Sequence, residues 1–222
     1  MDIKIVFEDE HLAVINKPAG IVVSGNKFRT IENALLHNLQ TSSQPDALTS
    51  PRPVHRLDAL TSGLLLIAKT RSVRRILGEM LSSKNISKLY RTIVIGKTPE
   101  KGSVNSPVNG QQAITEYSLL KNVHSLKCGW ISFLELKPLT GRTHQLRIHL
   151  SGLGFPILGD KLYGQKETLF LGKGLFLSAV GLKFQHPVTK KILELCIKEP
   201  NKFRIHLERE ERRYYQILKL QN

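Results

Sequence analysis

Short apolar runs with the composition of β-strands recur along most of this 222-residue chain, and they constrain its fold more than any other feature. Their β-branched and aromatic residues predict strands, and turn-forming residues separate one run from the next. The runs are IKIVF, LAVIN, GLLLIAKT, KLYRTIVIG, AITEYSLL, WISFLELKP, LFLSAVGLKF and ILELCIKE. Helical patterns are few and do not alternate regularly with the strands. The sequence therefore predicts an α+β fold with a largely antiparallel mixed sheet and a few flanking helices.

Four segments have helical character. The clearest begins at Ser72, where apolar residues recur at helical spacing as far as Leu81. Thr30 is a candidate N-cap for a helix over residues 31–40, another helix is predicted from about Thr143, and the charged segment after Pro200 is predicted to be helical near its end. No repeat, low-complexity segment or linker divides the chain, so we predict a single domain over residues 1–222.

The chain is strongly basic, with 33 Lys and Arg residues against 18 Asp and Glu residues and a formal net charge of +15. Such a surplus indicates a polyanionic partner, most often nucleic acid. The N-terminus lacks the features of a signal peptide and no apolar stretch is long enough for a membrane span, so we expect a cytoplasmic protein without a membrane partner. The two cysteines form no CxxC motif, which argues against a disulfide scaffold or a zinc ribbon.

Two clusters of polar residues stand out, VHRLDALTSG at 54–63 and TGRTHQLRIH at 140–149. A lone Asp before a buried strand is usually a turn former or a helix cap. Asp58, however, has an unusual density of polar neighbours beside an apolar strand. If the second cluster faces this loop, Arg142 can pair with Asp58 and keep the carboxylate ionised.

The histidines of these clusters are poorly spaced for a metal. His144 and His149 lie five residues apart and His55 is alone, whereas paired ligands on a helix are usually three or four residues apart. We therefore expect no metal site and interpret the histidines as hydrogen-bonded structural groups. Tyr90, taken alone, is typical of a strand residue that packs its ring and leaves its hydroxyl solvated.

Taken together, the motifs of this sequence resemble those of the RluA family of pseudouridine synthases. HRLDALTSGLLLIAK is similar to the catalytic motif of the family, INKPAGIVV to its first motif, and KLYRTIVIG to its tyrosine strand. LKPLTGRTHQLRIHLSGLGFPILGDKLYG is similar to its long third motif, and LFLSAVGLKFQHP to the strand that follows. The resemblance implies the pseudouridine synthase fold with a central cleft. It also implies isomerisation of uridine to pseudouridine in RNA without cofactor or energy source.

The resemblance assigns roles to individual residues. It implies that Asp58 is the catalytic nucleophile, that Arg142 is its ion-pair partner and that Tyr90 stacks on the target base. The residues expected to bind the substrate or the RNA are His55, Arg56, Thr61, Leu146 and Leu177. Arg56 is expected to lie in the loop that occupies the space vacated by the flipped nucleotide.

Two departures from the family pattern qualify this expectation. Ser178 stands where the family often has a histidine. Many members also carry a small RNA-binding module before the catalytic domain, and we expect none here because the first strand begins at the third residue. The short form resembles members that act on small RNA stem-loops, so we expect a monomer that acts on a ribosomal or transfer RNA stem-loop.

Two other functions are compatible with part of the sequence. One is a non-catalytic RNA-binding protein with the same fold, against which the joint presence of Asp58, Tyr90 and Arg142 argues. The other is a metal-dependent nuclease that uses His55, Asp58, His144 and His149, against which the ligand spacing argues.

Overall fold

The computed structural model describes residues 1–164 and 174–221, and these residues form two compact units. The first unit comprises residues 1–88 and 179–197, and the second comprises residues 89–178 and 198–222. In both units the strands pair mainly in antiparallel fashion and helices accompany them, so the predicted α+β class is confirmed. That residues 1–222 act as a single catalytic domain stays a prediction.

A sheet of six strands forms the first unit, with strand order β1-β2-β4-β9, β3 added to β4 and β10 added to β9. The strands are β1 (Lys4–Glu8), β2 (Leu12–Lys17), β3 (Ala47–Pro53), β4 (Ser62–Thr70), β9 (Leu177–Gln185) and β10 (Ile192–Cys196). The helices are α1 (Ile31–Leu35) and α2 (Arg71–Ser82). Apolar residues of β2, β4, α2 and β9 form the core of this unit. All nine residues of β4 are buried, as expected of a central strand covered on both faces.

The second unit contains a four-stranded antiparallel sheet in the order β5-β8-β7-β6. Its strands are β5 (Ser87–Ile95), β6 (Lys101–Asn105), β7 (Ile114–Ser125) and β8 (Gly129–Pro138). Its helices are α3 (Gln145–Gly152) and α4 (Lys202–Gln221). The core brings Ile93 and Ile131 of the sheet against Phe203 of α4.

The helix boundaries differ from the predicted ones for local reasons. Thr30 does cap α1, because its hydroxyl accepts a hydrogen bond from the Asn33 backbone at 3.0 Å. The helix nevertheless ends at Leu35 instead of residue 40, because the Asn38 side chain draws the chain into a turn by bonding the backbone of Met1, Ile3 and Ala34. Helix α2 starts one residue earlier than predicted, at Arg71.

The strands β3 and β6 were not predicted. The segment that forms β3 contains Pro51 and Pro53, which lack the amide hydrogen of a regular ladder, and its pairing with β4 is irregular. The segment KGSVN of β6 has little hydrophobic character and becomes a strand by pairing with β7. In both cases the neighbouring strand decides the conformation. None of the helices in the described part of the chain is long and apolar enough to cross a membrane.

Candidate active site

Asp58 lies in the loop that joins β3 to β4 in the first unit. The Thr61 backbone amide donates a hydrogen bond to the Asp58 carbonyl at 3.0 Å, which closes a tight turn directly before the buried strand. Thr61 is buried, whereas the Asp58 side chain is only partly covered. The loop therefore fixes the backbone of Asp58, a residue that is only partly buried.

Lys17 at the end of β2 holds this loop in place. Its side chain is fully buried, and its ammonium group donates hydrogen bonds to the carbonyls of Pro18 at 2.9 Å, Ile21 at 2.7 Å and Ala59 at 3.0 Å. The Gly20 amide also donates to the Ala59 carbonyl, at 2.7 Å. A lysine with no partners would not be tolerated inside the protein, so these three acceptors explain its burial. Lys17 thereby ties the turn after β2 to the residue that follows Asp58.

The charge of Lys17 is also coupled to that of Asp58. Burial lowers the pKa of the Lys17 ammonium to about 8, and the nearby Asp58 carboxylate works against this shift. Lys17 was missed as a site residue in the sequence. The available signal was a lysine at the end of the apolar strand LAVINK, immediately before Pro-Ala-Gly.

The structure explains why the motif has a glycine at position 63, near the start of β4. The φ of Gly63 is +112°, in the region that favours glycine, and a Cβ atom built there would lie 2.0 Å from the Ala179 carbonyl oxygen of β9. Only glycine lets these two backbones approach so closely. The position of β4, and with it the loop of Asp58, depends on this contact.

His55 is anchored to the backbone of β4. Its Nε2 atom accepts a hydrogen bond from the Leu66 amide at 3.2 Å. Burial, together with the nearby Lys88 ammonium, lowers the pKa of the His55 imidazole to about 4, so the ring is neutral at physiological pH. This bond gives His55 a structural position, and an additional contact with RNA stays a prediction. Its neighbour Arg56 is exposed, as a phosphate-binding side chain requires.

Tyr90 belongs to β5 and is buried in the second unit. It lies opposite Leu136 of β8, which in turn lies opposite Tyr117 of β7. Its burial, with only 8% of the residue exposed, restricts the freedom of the ring. Restricted rings make better stacking platforms because less conformational entropy is lost on binding.

Arg142 lies in the turn that precedes α3. Its Nε atom donates to the Gln112 carbonyl at 3.2 Å, and its backbone amide donates to the Gln145 Oε1 atom at 3.0 Å. The side chain is largely exposed. The guanidinium group is therefore oriented through one of its donors and keeps others for an anion.

Gln145 is the centre of the network that shapes this turn, and sequence reasoning did not single it out. Its side chain is buried, accepts a hydrogen bond from the Thr140 hydroxyl at 2.7 Å and donates to the Ile114 carbonyl at 2.9 Å and the Thr115 hydroxyl at 3.0 Å. His144, just before it, has a φ of +57°. This left-handed residue places the start of α3 at Gln145 instead of near Thr143 as predicted.

The histidines of α3 have protein partners. His149 is buried, with Nδ1 2.9 Å from the Thr115 hydroxyl and Nε2 3.0 Å from the Ser106 carbonyl. His144 Nδ1 lies 2.9 Å from the Tyr163 hydroxyl. Within residues 1–164 and 174–221, no group of three or more His, Cys, Asp or Glu side chains is arranged to hold a metal ion.

A buried ion pair, also missed in the sequence, organises the segment after α3. Arg147 donates to the two carboxylate oxygens of Asp160 at 2.7 and 2.8 Å, and Asp160 also accepts from the Leu162 amide at 2.9 Å. Burial raises the pKa of the Asp160 carboxyl, but these hydrogen bonds outweigh burial and leave it below its ordinary value. The predicted apolar residues Leu146 and Leu177 are both buried in this unit.

The predicted site residues thus fall into two groups. The first unit holds His55, Arg56, Asp58 and Thr61 together with Lys17, and the second unit holds the other predicted residues, Tyr90, Arg142, Leu146 and Leu177. Ser178, the departure from the family pattern, is buried, and it and Leu177 are the two residues of β9 that belong to the second unit.

Comparison with known proteins connects this arrangement to one activity. A family model described as RNA pseudouridylate synthase matches residues 11–152. A protein of Aquifex aeolicus named as an uncharacterized RNA pseudouridine synthase is 34% identical over 91% of this chain and 71% of its own length. The ribosomal large subunit pseudouridine synthase D of Zymomonas mobilis is 35% identical over 89% of this chain and 69% of its own length.

The fold is similar to that of a solved human protein, RNA Pseudouridylate Synthase Domain Containing 4. The TM-score is 0.73 at 26% sequence identity, and the match covers 94% of this chain and 93% of the human one. The matches in sequence and in structure thus agree.

Proposed function

Because this chain belongs to the RluA family of RNA pseudouridine synthases, enzymes that isomerise uridine in RNA, we propose that Asp58 is its catalytic carboxylate and ribosomal RNA its substrate. The role proposed for Asp58 rests on the environment of this residue. Its loop precedes a fully buried strand and is tied by the buried Lys17, while Asp58 itself is only partly buried. A reacting group needs this combination of fixed position and access.

The reaction exchanges one bond for another within the same nucleotide. The bond between C1′ of the ribose and N1 of uracil breaks, the base turns, and a bond forms between C1′ and C5. The proton on C5 leaves and N1 gains a proton, so atoms balance without an oxidant or reductant. The carboxylate of Asp58 can attack the sugar, attack the base, or remove a proton with formation of a glycal. Each route requires the ionised carboxylate and a nucleotide flipped out of its stem.

The motifs of this family also suggest roles for Arg142 and Tyr90. We assign to Arg142 the role of countercharge to Asp58, because a carboxylate close to anionic RNA would otherwise tend to take up a proton. We assign to Tyr90 the role of a stacking surface for the flipped uracil, with its hydroxyl near the C5 proton. The remaining donors of Arg142 and the restricted ring of Tyr90 support these roles.

The proposed substrate rests on the relatives. The Zymomonas mobilis protein is named for the large ribosomal subunit, and so are relatives in Pseudomonas aeruginosa and Xylella fastidiosa that are both 36% identical to this chain. We therefore propose a uridine of large-subunit ribosomal RNA as the target. The charge of +15 suits a substrate with many phosphate groups.

Tritium release tests this proposal. Transcripts of large-subunit ribosomal RNA and of transfer RNAs, both labelled with tritium at C5 of uracil, are incubated with the protein, and modified positions are then mapped by carbodiimide and primer extension. We expect release from the ribosomal RNA at a single mapped uridine. Release from transfer RNA alone would replace the proposed substrate, and Asp58→Asn protein that still releases tritium would remove Asp58 from the catalytic role.

A further inference from the structure

An open pocket lies on α2, outside the candidate active site. It has a volume of about 340 Å³ and is lined by Leu48 of β3 and by Arg71, Arg74, Arg75 and Gly78 of the helix. Ligand sites typically have volumes of about 300–1,000 Å³. This pocket, which we call the arginine pocket, is therefore large enough for a small polar group and for the part of the ligand that carries this group.

The sequence positions of the arginines place their side chains on one face of the helix. Arg74 and Arg75 follow Arg71 by three and four residues, the spacing at which helical side chains become neighbours. Like charges at this spacing destabilise a helix slightly. An anion bound between the arginines would relieve this repulsion, so this face of the helix favours anion binding.

The carboxylates near the arginine pocket do not neutralise it. Arg75 pairs with Glu79 at 2.6 Å, but both side chains are more than half exposed, so this pair is weak. Asp46, which lies before the helix, keeps its charge but accepts a hydrogen bond from the Ser72 amide at 2.8 Å and forms no ion pair with an arginine among the described residues. Among the residues that the structure describes, no carboxylate forms an ion pair with Arg71 or Arg74.

We propose that the arginine pocket binds phosphate groups of the substrate RNA at a point remote from the reacting nucleotide, an inference that rests on the proposed function. The fork of a guanidinium group matches a phosphate in two hydrogen bonds. Asp58 precedes one end of β4 and Arg71 follows the other, and at ~3.3 Å per residue the two ends of this strand lie about 26 Å apart. A phosphate in the pocket therefore belongs to a different part of the RNA from the flipped uridine. The pocket favours an extended, folded RNA over an isolated loop.

The salt dependence of RNA binding tests the pocket. The dissociation constant of a fluorescein-labelled large-subunit ribosomal RNA transcript is measured between about 50 and 200 mM KCl for the parent and for Arg71→Gln/Arg74→Gln. We expect weaker binding and a slope of log Kd against log salt that is shallower by roughly 0.7–0.9 for each phosphate that the variant no longer binds. A short RNA hairpin is expected to bind both proteins equally, because it does not reach the pocket.

Matched variants separate a local effect from a general reduction in charge. Lys4→Gln/Lys191→Gln removes two exposed charges from the same unit and is expected to leave the slope unchanged. Arg71→Lys/Arg74→Lys keeps the charges and is expected to restore the slope but only part of the affinity, because lysine lacks the fork. If the double glutamine variant does not fold, Arg74→Gln alone is expected to change the slope by the amount that corresponds to one phosphate.

The outcomes distinguish this inference from the proposed function. If the parent forms pseudouridine in ribosomal RNA but the parent and the folded glutamine variant have equal slopes, the proposed role of the arginine pocket is wrong and the proposed function stands. Equal slopes are also the result expected if the pocket holds an acidic protein segment. A parent that forms no pseudouridine but shows the difference in slope overturns the proposed function and leaves the pocket as an RNA-binding site.

Discussion

Lys17 donates a hydrogen bond from its buried ammonium group to the carbonyl of Ala59, 3.0 Å away and 42 residues later in the chain. Ala59 directly follows the proposed catalytic residue Asp58. The bond therefore connects the first motif of the sequence to its second. It makes the position of a reactive carboxylate depend on a lysine that is fully enclosed by protein.

Replacing Asp58 by Asn is expected to abolish pseudouridine formation while the protein stays folded. The amide has nearly the size of the carboxylate but lacks its charge and its nucleophilic and basic character, so we expect the rate to fall by at least about a hundredfold. RNA affinity is expected to stay similar or to rise, because a negative charge is removed from an anion-binding surface. Tritium release and RNA binding are measured on the same preparation. A folded variant with a rate close to that of the parent would show that the loop merely caps β4.

Tyr90→Phe is expected to bind RNA almost as well as the parent but to turn over more slowly. The ring remains, and stacking of a base on an aromatic ring contributes about 1–3 kcal/mol. The hydroxyl is removed, which is expected to lower the single-turnover rate by roughly tenfold or more. Tyr90→Leu serves as the comparison and is expected to weaken binding as well. Equal rates for the parent and Tyr90→Phe would reduce the tyrosine to a packing and stacking role.

Lys17→Met is expected to lower both stability and activity. The change leaves three carbonyl groups without the donor they now share, and removing the burial cost of the charge offsets only part of this loss. We expect a net decrease of about 2 kcal/mol in the free energy of unfolding, measured with urea. Single-turnover activity of the folded fraction is expected to fall as well, because the loop of Asp58 loses its tie.

Lys69→Met provides the matched control. Lys69 is also buried, but its ammonium group bonds Glu8 at 2.8 Å and the Asp9 carbonyl at 2.6 Å, near the end of β4 remote from Asp58. This variant is expected to lose stability but to keep the turnover rate of its folded molecules. Equal decreases of turnover in the two lysine variants would show that Lys17 acts through general stability alone.

The free energy of unfolding is expected to depend on pH through Lys17. Its pKa is about 8 in the folded protein and lies near 10.5 in the unfolded chain, so between these values the unfolded state binds more protons. Lys17 therefore makes the free energy of unfolding rise as the pH increases from about 8 to 10.5. This gain is lost as the pH falls through 8. Urea unfolding of the parent and of Lys17→Met at pH 7, 8 and 9 isolates the effect. A constant difference between the two proteins would contradict the lowered pKa.

Gly63→Ala is expected to be severely destabilising. The added Cβ would lie 2.0 Å from the Ala179 carbonyl oxygen, and the backbone at Gly63 is in a conformation that alanine rarely adopts. Because the neighbouring atoms belong to the backbone of a buried strand, we expect the free energy of unfolding to fall by about 3 kcal/mol or more. Gly152→Ala, with no atom within 4 Å of the added Cβ, is the control and is expected to change stability by less than about 0.5 kcal/mol. Thermal unfolding compares the two.

Much of the fold was predictable because its signals are local. The apolar run after Gly63 favours a buried strand because it is too short for a typical helix and a glycine precedes it. Thr30 caps a helix through an amide only three residues away. The spacing of apolar residues predicts α2 in the same way. The candidate residues Asp58, Tyr90 and Arg142 were identified because they lie in motifs that are continuous in sequence.

Only the tertiary structure decided which distant segments are in contact. The sequence by itself indicated most of the strands and the cap at Thr30, since these depend on neighbours within a few positions, and its continuous motifs indicated the candidate reactive residues. It did not reveal that Lys17 binds the carbonyl of Ala59, that Gly63 must admit the backbone of Ala179, or that Gln145 ties the turn of Arg142 to Ile114 and Thr115 of β7. The first two contacts link residues 42 and more than a hundred positions apart. Such contacts form only when the whole chain has overcome the entropy of closing long loops, so a local pattern carries no trace of them.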